Sequence, residues 1–144
     1  NFIVEKYLIS NLKKLVKKLN PKLKKKILST HYYIIRVNDN CKNEIINDNL
    51  LDVDGHPQIS HDGKFLIFDT YADELNYQSL ILYNLSKKKS YLLAKFKLDN
   101  YLNQKKLKYD LHPRWNKKGN LINFDSSHDG SRQTYVLNIE NYVD

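Results

Sequence analysis

The chain has 144 residues, of which 41% are hydrophobic, and a formal net charge of +8. This length and composition suit one ordinary globular domain with a modest core. No apolar run reaches the roughly eighteen residues that a membrane-spanning helix needs, so we expect no membrane partner. The single cysteine, Cys41, excludes an internal disulfide and a cysteine-rich zinc site.

The positive charge favours an anionic partner. Eight lysines fall between Lys13 and Lys26, and a solvated helix face explains that run. The only support for nucleic-acid binding is the positive charge, so we do not expect a nucleic-acid partner. The sequence contains no methionine, even at position 1, so we expect Asn1 to follow further repeats upstream rather than to start the polypeptide. We expect cytoplasmic localisation, with the periplasm as the alternative.

The first third of the chain, 1–53, is predicted to be a partial repeat unit with a helical insertion. Residues 2–7 fit a strand, and apolar residues recur at helical spacing within 8–29, where Asn20-Pro21 marks the start of a second short helix. One continuous helix over 2–19 is the alternative. Residues 31–37 and 43–46 fit the third and fourth strands of the same unit.

An internal repeat organises the rest of the chain. Residues 56–70 align without a gap on residues 112–126, at an offset of 56. Both copies begin with His-Pro, and a second match follows each copy, 79–85 with 133–139. The shared positions include a loop glycine, a phenylalanine and an aspartate that ends a strand: Gly63 and Gly119, Phe68 and Phe124, Asp69 and Asp125. The repeat is therefore a whole supersecondary unit.

Each copy consists of short β-branched and aromatic runs between turn signals. The first copy predicts strands over 56–60, 64–69, 79–85 and 91–96, with a tight turn at Asp62-Gly63. Four antiparallel strands of this size are typical of a propeller blade. We therefore predict an all-β fragment of a β-propeller, two to two and a half blades, with a complete blade and loop over 54–107 and three strands over 108–144.

Basic and aromatic side chains converge in this topology. The first strand of each blade lines the central channel, so His56 and His112 are predicted near its mouth, with Arg114 on the same strand face as His112. The loops over 71–78 and 127–132, which carry His128 and Arg132, open on that rim, as does the helical insertion. In the competing interpretation the histidines merely lock neighbouring blades.

Other conspicuous residues have structural explanations. Asp69 and Asp125 are expected to tie down the turns that follow them. Trp115 and the two repeat phenylalanines are expected in the core. No phosphate-binding glycine loop, Cys-x-x-Cys, His-Glu-x-x-His or Gly-x-Ser-x-Gly motif occurs, so the enzyme classes that depend on them are unsupported.

Four motifs stand out: Asp54-Gly55-His56-Pro57, Asp69-Thr70-Tyr71, Asp110-Leu111-His112-Pro113-Arg114-Trp115 and Phe124-Asp125-Ser126-Ser127-His128-Asp129-Gly130 with Arg132-Gln133. Together they resemble bacterial seven-bladed propellers grouped with oligogalacturonate lyases and ulvan lyases. Residues 54–139 carry most of the resemblance. The pattern Ser60-His61-Asp62-Gly63 is also shared with Tol-system propellers.

The resemblance implies a lyase that acts on an acidic glycan by β-elimination. It implies manganese or another divalent metal, since oligogalacturonate lyases bind manganese with three histidines and a glutamine. His56 and His112 match two of those histidines, whereas Arg114 replaces the third and Tyr109 stands near the glutamine. The ulvan lyases, which use histidine, tyrosine and arginine, resemble this set more closely.

These resemblances assign provisional roles to seven residues. Arg114 would offset the uronate carboxylate, His112 or His56 would take the proton, and Tyr71 or Tyr109 would protonate the leaving oxygen. His128 and Arg132 would contact the substrate. The alternative is a non-catalytic propeller that binds a glycan or a protein.

Overall fold

The computed structural model describes residues 31–36, 42–46, 48–98 and 109–143. The strand predicted over 2–7 and the helices predicted over 8–29, or over 2–19, lie outside the described residues. The described residues contain nine strands, in chain order β1 Tyr32–Arg36, β2 Lys42–Ile46, β3 Pro57–Ile59, β4 Phe65–Asp69, β5 Tyr77–Asn84, β6 Lys89–Lys97, β7 Arg114–Trp115, β8 Leu121–Ser126 and β9 Gln133–Asn138.

The described strands form three antiparallel sheets. β1 and β2 make a hairpin, β3 to β6 a four-stranded meander, and β7 to β9 a three-stranded one. Equivalent strands share a register, because Phe65 pairs with Asn84 in the second sheet and Leu121 pairs with Asn138 in the third. The predicted all-β fold and its four-stranded unit are confirmed.

Glycine at the repeated turn position lets each first hairpin close. Gly63 has φ of +72° and Gly119 has φ of +77°, the left-handed region that glycine enters without steric cost. The amide of Gly63 donates to the carbonyl of Ser60 at 3.0 Å, and Gly119 repeats this bond with Asn116 at 3.1 Å. Asp62 and Asn116 stabilise the same turns with their side chains.

The middle sheet is covered on both faces, and for that reason all five residues of β4 are buried. Phe65 and Ile67 pack on one side with Ile122 and Phe124 of the third sheet. On the other side Leu66 and Phe68 pack in a cluster that includes Ile46 and Leu51, with Tyr32 and Ile34 against it. Apolar residues that alternate along a strand thus join three sheets into consecutive layers.

Several boundaries differ from the prediction. β5 begins at Tyr77, and β3 and β7 begin after the histidines that were predicted to open them. His112 has φ of +43°, which no strand residue adopts, and the amide of His56 donates to a side chain. A 3-10 helix, Asn49–Leu51, and a short helix α1, Glu140–Val143, were not predicted.

Within the described residues, no helix has both the length and the apolar character required to cross a membrane.

Trp115, Phe68 and Phe124 occupy the predicted positions, with both phenylalanines buried and Trp115 packed against the core. Trp115 also joins adjacent sheets: its amide donates to Oε1 of Gln58 at 3.0 Å and its indole to the carbonyl of Gln58 at 3.1 Å.

Candidate functional site

Two imidazoles meet where the second and third sheets adjoin. The rings of His56 and His112 are stacked, with their centroids 4.2 Å apart and their planes at 26°. His56 lies just before β3 and His112 just before β7, so equivalent positions of consecutive repeats bring them together. We call His56, Asp69, Tyr71, Asp110 and His112 the histidine cluster.

A buried carboxylate holds both histidines. Asp69 ends β4, and its side chain has no exposed surface. Its Oδ1 accepts the amide of His56 at 2.6 Å and its Oδ2 accepts the amide of His112 at 2.9 Å. The same oxygens lie 3.0 and 3.1 Å from Nδ1 of the His56 ring. Asp69 therefore ties together two repeats as well as its own turn.

Gly55 makes this arrangement sterically possible. A Cβ at position 55 would lie 1.9 Å from the backbone oxygen of Asp69 and 3.2 Å from Oδ1 of its carboxylate. The equivalent residue of the next repeat is Leu111, which is fully buried in the core between the sheets. The backbone also differs at the two histidines, because His112 has a positive φ of +43° and His56 does not.

Tyr71 adds a hydroxyl to the cluster. Its oxygen lies 3.5 Å from Nε2 of His56, and the two rings meet edge to face with centroids 5.4 Å apart. Loss of solvent, followed by the negative charges of Asp110, Asp54 and Asp69, raises the pKa of Tyr71 above its ordinary value. The hydroxyl carries its proton at neutral pH, as in an ordinary tyrosine, and the raised pKa makes it a weaker acid.

Three members of the cluster could hold a metal ion. The ligand atoms of His56, Asp110 and His112 all lie within 4.8 Å of one another. Two imidazoles and one carboxylate suit several divalent metals, and the contact of His56 Nδ1 with Asp69 is the outer-shell support that metal-bound histidines ordinarily have. The residues therefore fit a divalent metal, with Asp110 where the family resemblance implies other ligands.

An open cavity of about 320 Å³ adjoins the cluster. Tyr71 and Asp110 belong to both, and Tyr109 and Gln78 line it further along. Gln78 is buried, and its Nε2 donates to the carbonyl of Tyr109 at 2.7 Å. Aromatic side chains and polar groups that converge on one cavity are characteristic of a ligand site.

The structure places Arg114 differently from the prediction. Arg114 opens β7, is exposed, and donates from Nη1 to the carbonyl of Pro113 at 2.9 Å. His112 precedes the strand with a left-handed backbone, so the alternation of side chains along a strand does not relate the two residues. The prediction that they share a strand face is wrong for this reason.

Arg132 instead contacts Tyr109, which lines the cavity. Its guanidinium sits over the ring of Tyr109, 5.1 Å from the centroid, and Nη2 donates to Oδ2 of Asp125 at 2.6 Å. The hydrogen bonds from Arg132 and Thr134 hold the pKa of Asp125 below its usual range, and Asp125 raises the pKa of Arg132.

His128, the remaining histidine predicted to bind substrate, has contacts of another kind. Its Nδ1 lies 2.9 Å from Oγ of Ser126, and its ring packs near Phe96 and Tyr135. The structure thus separates the seven predicted residues into the pair of histidines with Tyr71, the pair of Arg132 with Tyr109, and the two residues with local contacts, His128 and Arg114.

Sequence reasoning missed the role of Asp69 and Asp110. Asp69 was recognised as a repeated position, but its neighbour across the repeats could not be read from the pattern. Asp110 stands two residues before His112, and no role was predicted for it from the sequence. Gln78 offered no signal, because its importance comes from burial next to Tyr109.

Comparison with known proteins supports the fold. The sequence matches no protein-family model and no curated protein. Among solved structures it is similar to TolB from Acinetobacter baumannii, with a TM-score of 0.54 and 17% identity, over 81% of this chain and 28% of that chain. The chain thus spans little more than a quarter of TolB. With the sheet topology, this similarity shows that the described residues have the all-β fold of part of a β-propeller.

Proposed function

We propose that the chain is part of a carbohydrate-active propeller that cleaves a uronate-containing glycan by β-elimination. The observation that carries the proposal is the position of Tyr71, whose hydroxyl lies 3.5 Å from Nε2 of His56 at the edge of the cavity. A base and an acid side by side are what the reaction needs, because a proton leaves the carbon next to the carboxylate while the neighbouring glycosidic oxygen departs.

His56 takes the role of the base. Asp69 accepts from Nδ1, so the lone pair of the neutral ring is on Nε2, which faces Tyr71. Nε2 accepts the proton from the carbon next to the carboxylate, and the electron pair forms a double bond to the neighbouring carbon as its bond to the glycosidic oxygen breaks. Tyr71 donates its proton to that oxygen. Tyr71 suits this step better than Tyr109, whose contacts are with Arg132 and Gln78.

The charge of the substrate carboxylate must be offset while the proton leaves. Arg114 and Arg132 are the two candidates. Arg132 contacts the cavity residue Tyr109, and Arg114 retains donors beyond its bond to Pro113. A divalent metal held by His56, Asp110 and His112 would supply the same positive charge. Since one lone pair cannot bind a cation and accept a proton together, the ligand and base roles of His56 are alternatives.

The test is turnover by the full-length protein, followed by the ultraviolet absorbance of unsaturated uronate released from pectic, ulvan-like and capsular polysaccharides. We expect His56→Ala and Tyr71→Phe to abolish turnover. Loss of the arginine that pairs with the carboxylate, tested with Arg114→Ala and Arg132→Ala, should cost about 3 kcal/mol, roughly a hundredfold in rate. The corresponding lysine variant should restore only part of it, because lysine lacks paired donors.

The matched control is His61→Ala, which removes an exposed histidine of the β3–β4 turn and should leave turnover unchanged. Assays with manganese, with zinc and with a chelator separate the two roles of His56. Turnover that requires added metal supports the ligand role, and turnover that added metal inhibits supports the base role. Release of no unsaturated uronate from any substrate would refute the lyase proposal.

One observation favours the second candidate, a non-catalytic propeller that binds a glycan or protein. Both histidine amides and one ring nitrogen contact Asp69, as expected of residues that lock adjacent blades. In that case His56→Ala would lower the free energy of unfolding, and glycan binding would persist without product.

A further inference from the structure

We infer that Asp69 is a positioning residue that selects one tautomer of His56 and holds His112 beside it. The inference begins with the hydrogen bonds of its carboxylate. Oδ1 accepts the amide of His56 and Oδ2 accepts the amide of His112, so both oxygens already act as acceptors. The third partner, Nδ1 of His56, must then donate, because an acceptor facing an acceptor gains nothing.

This bond decides where the reactive nitrogen of His56 points. With the proton on Nδ1, the lone pair of the neutral ring is on Nε2, next to the Tyr71 hydroxyl. In the opposite tautomer Nε2 carries the proton, and that nitrogen can then neither accept a proton nor bind a metal. The Asp69 side chain is fully buried, whereas that of His56 is 31% exposed, so Asp69 acts through His56.

The second amide bond couples the repeats. Asp69 and His112 are 43 residues apart in sequence, and their hydrogen bond at 2.9 Å brings the start of the third sheet to the end of β4. His112 stacks on His56 at 4.2 Å as a result. The repeated position, Asp125, binds Arg132 and Thr134 instead, so the described residues contain this arrangement once.

The direct test is the tautomer of His56 in the wild-type chain. Histidine ring nitrogens of a ¹⁵N-labelled sample are recorded at increasing pH until the signals no longer shift, so that the rings are neutral. His56→Gln assigns the signals. We expect His56 to carry its proton on Nδ1. A wild-type ring protonated on Nε2 would overturn the inference without any need for a variant at Asp69.

Asp69→Asn supplies the second test, because it keeps the shape and replaces one acceptor by a donor. We expect the tautomer of His56 to shift toward a proton on Nε2. Asp125→Asn, the same change at the repeated position, should leave the His56 signals unchanged. An unaltered His56 tautomer in a folded Asp69→Asn chain, or an equal response to both variants, would also overturn the inference.

The effect on turnover rests on the proposed lyase function. If the chain is a lyase, Asp69→Asn should lower kcat by about a hundredfold or more and leave KM within a few-fold. The reason is that Nε2 of His56 would carry a proton and could not act as the base, while the cavity that binds substrate is unchanged. If wild-type protein releases no unsaturated uronate but His56 is protonated on Nδ1, the lyase proposal fails and the positioning role stands. If turnover occurs and Asp69→Asn retains the full kcat, the positioning role fails alone.

Discussion

Asp69 and Asp125 end equivalent strands of consecutive repeats and yet have different partners. Asp69 has a side chain with no exposed surface and binds two histidines, whereas the Asp125 side chain is 27% exposed and binds Arg132 and Thr134. The residue and its place in the strand are the same, so the difference arises from what packs beyond the strand end. Equivalent positions of the two repeats therefore share the same strand architecture, while the side chains at those positions make different contacts.

The largest contrast should appear when each carboxylate is removed. Asp69→Ala leaves the partly buried amides of His56 and His112 without their acceptor, and we expect a loss of about 3 kcal/mol in the free energy of unfolding. Asp125→Ala removes a partly exposed ion pair and should cost less than about 1 kcal/mol. Urea denaturation of both variants measures the difference, and equal losses would contradict the comparison.

A substitution at Gly55 should disturb Asp69 and its two histidines and leave Asp125 and its partners unchanged. In Gly55→Ala the new methyl group would begin 1.9 Å from the backbone oxygen of Asp69, so the strand end must move, at a cost of about 2 kcal/mol. Gly63→Ala is the control, since its Cβ meets nothing within 4 Å and only the left-handed φ of +72° opposes it, at about 1 kcal/mol.

Denaturation and the imidazole signals of His56 and His112 distinguish these two glycine variants. Only Gly55→Ala should shift the imidazole signals. If Gly63→Ala shifts them equally, close packing at Gly55 is not what keeps Asp69 in place.

The smallest expected effect is the pH dependence of stability that arises from Asp125 and its partner Arg132. Arg132 and Thr134 lower the pKa of Asp125, so the folded chain gains stability from the ionised carboxylate above the unfolded value of about 4. This contribution is lost as the pH falls through the lower, folded pKa. In Arg132→Ala the pKa of Asp125 should rise toward its ordinary value, which a carbon NMR titration of the carboxyl group measures.

The stability of Arg132→Ala relative to wild type provides the check on this last prediction. The variant should be less stable at neutral pH by less than about 1 kcal/mol, and the difference should vanish in acid. A difference that persists at pH 2 would mean that the stacking of Arg132 on Tyr109, rather than its charge, stabilises the chain.

Much of the blade could be predicted because its signals are local. Gly63 and Gly119 adopt the predicted left-handed turns, and successive residues of β4 such as Ile67 and Phe68 reach opposite clusters as the strand period requires. The boundaries near the histidines were wrong, since a side-chain acceptor at Asp69 competes there with the strand ladder.

The amino-acid sequence by itself determined the β-strand order, the turn positions and the repeat that brings His56 and His112 to equivalent places, because these follow from chirality, side-chain alternation and hydrophobic period. Only the tertiary structure decided that Asp69 binds both histidines, that Asp110 joins them, and that Arg132 rather than Arg114 lies beside Tyr109. Such pairings join residues tens of positions apart, and their choice depends on which sheet packs against which, information that no local pattern contains.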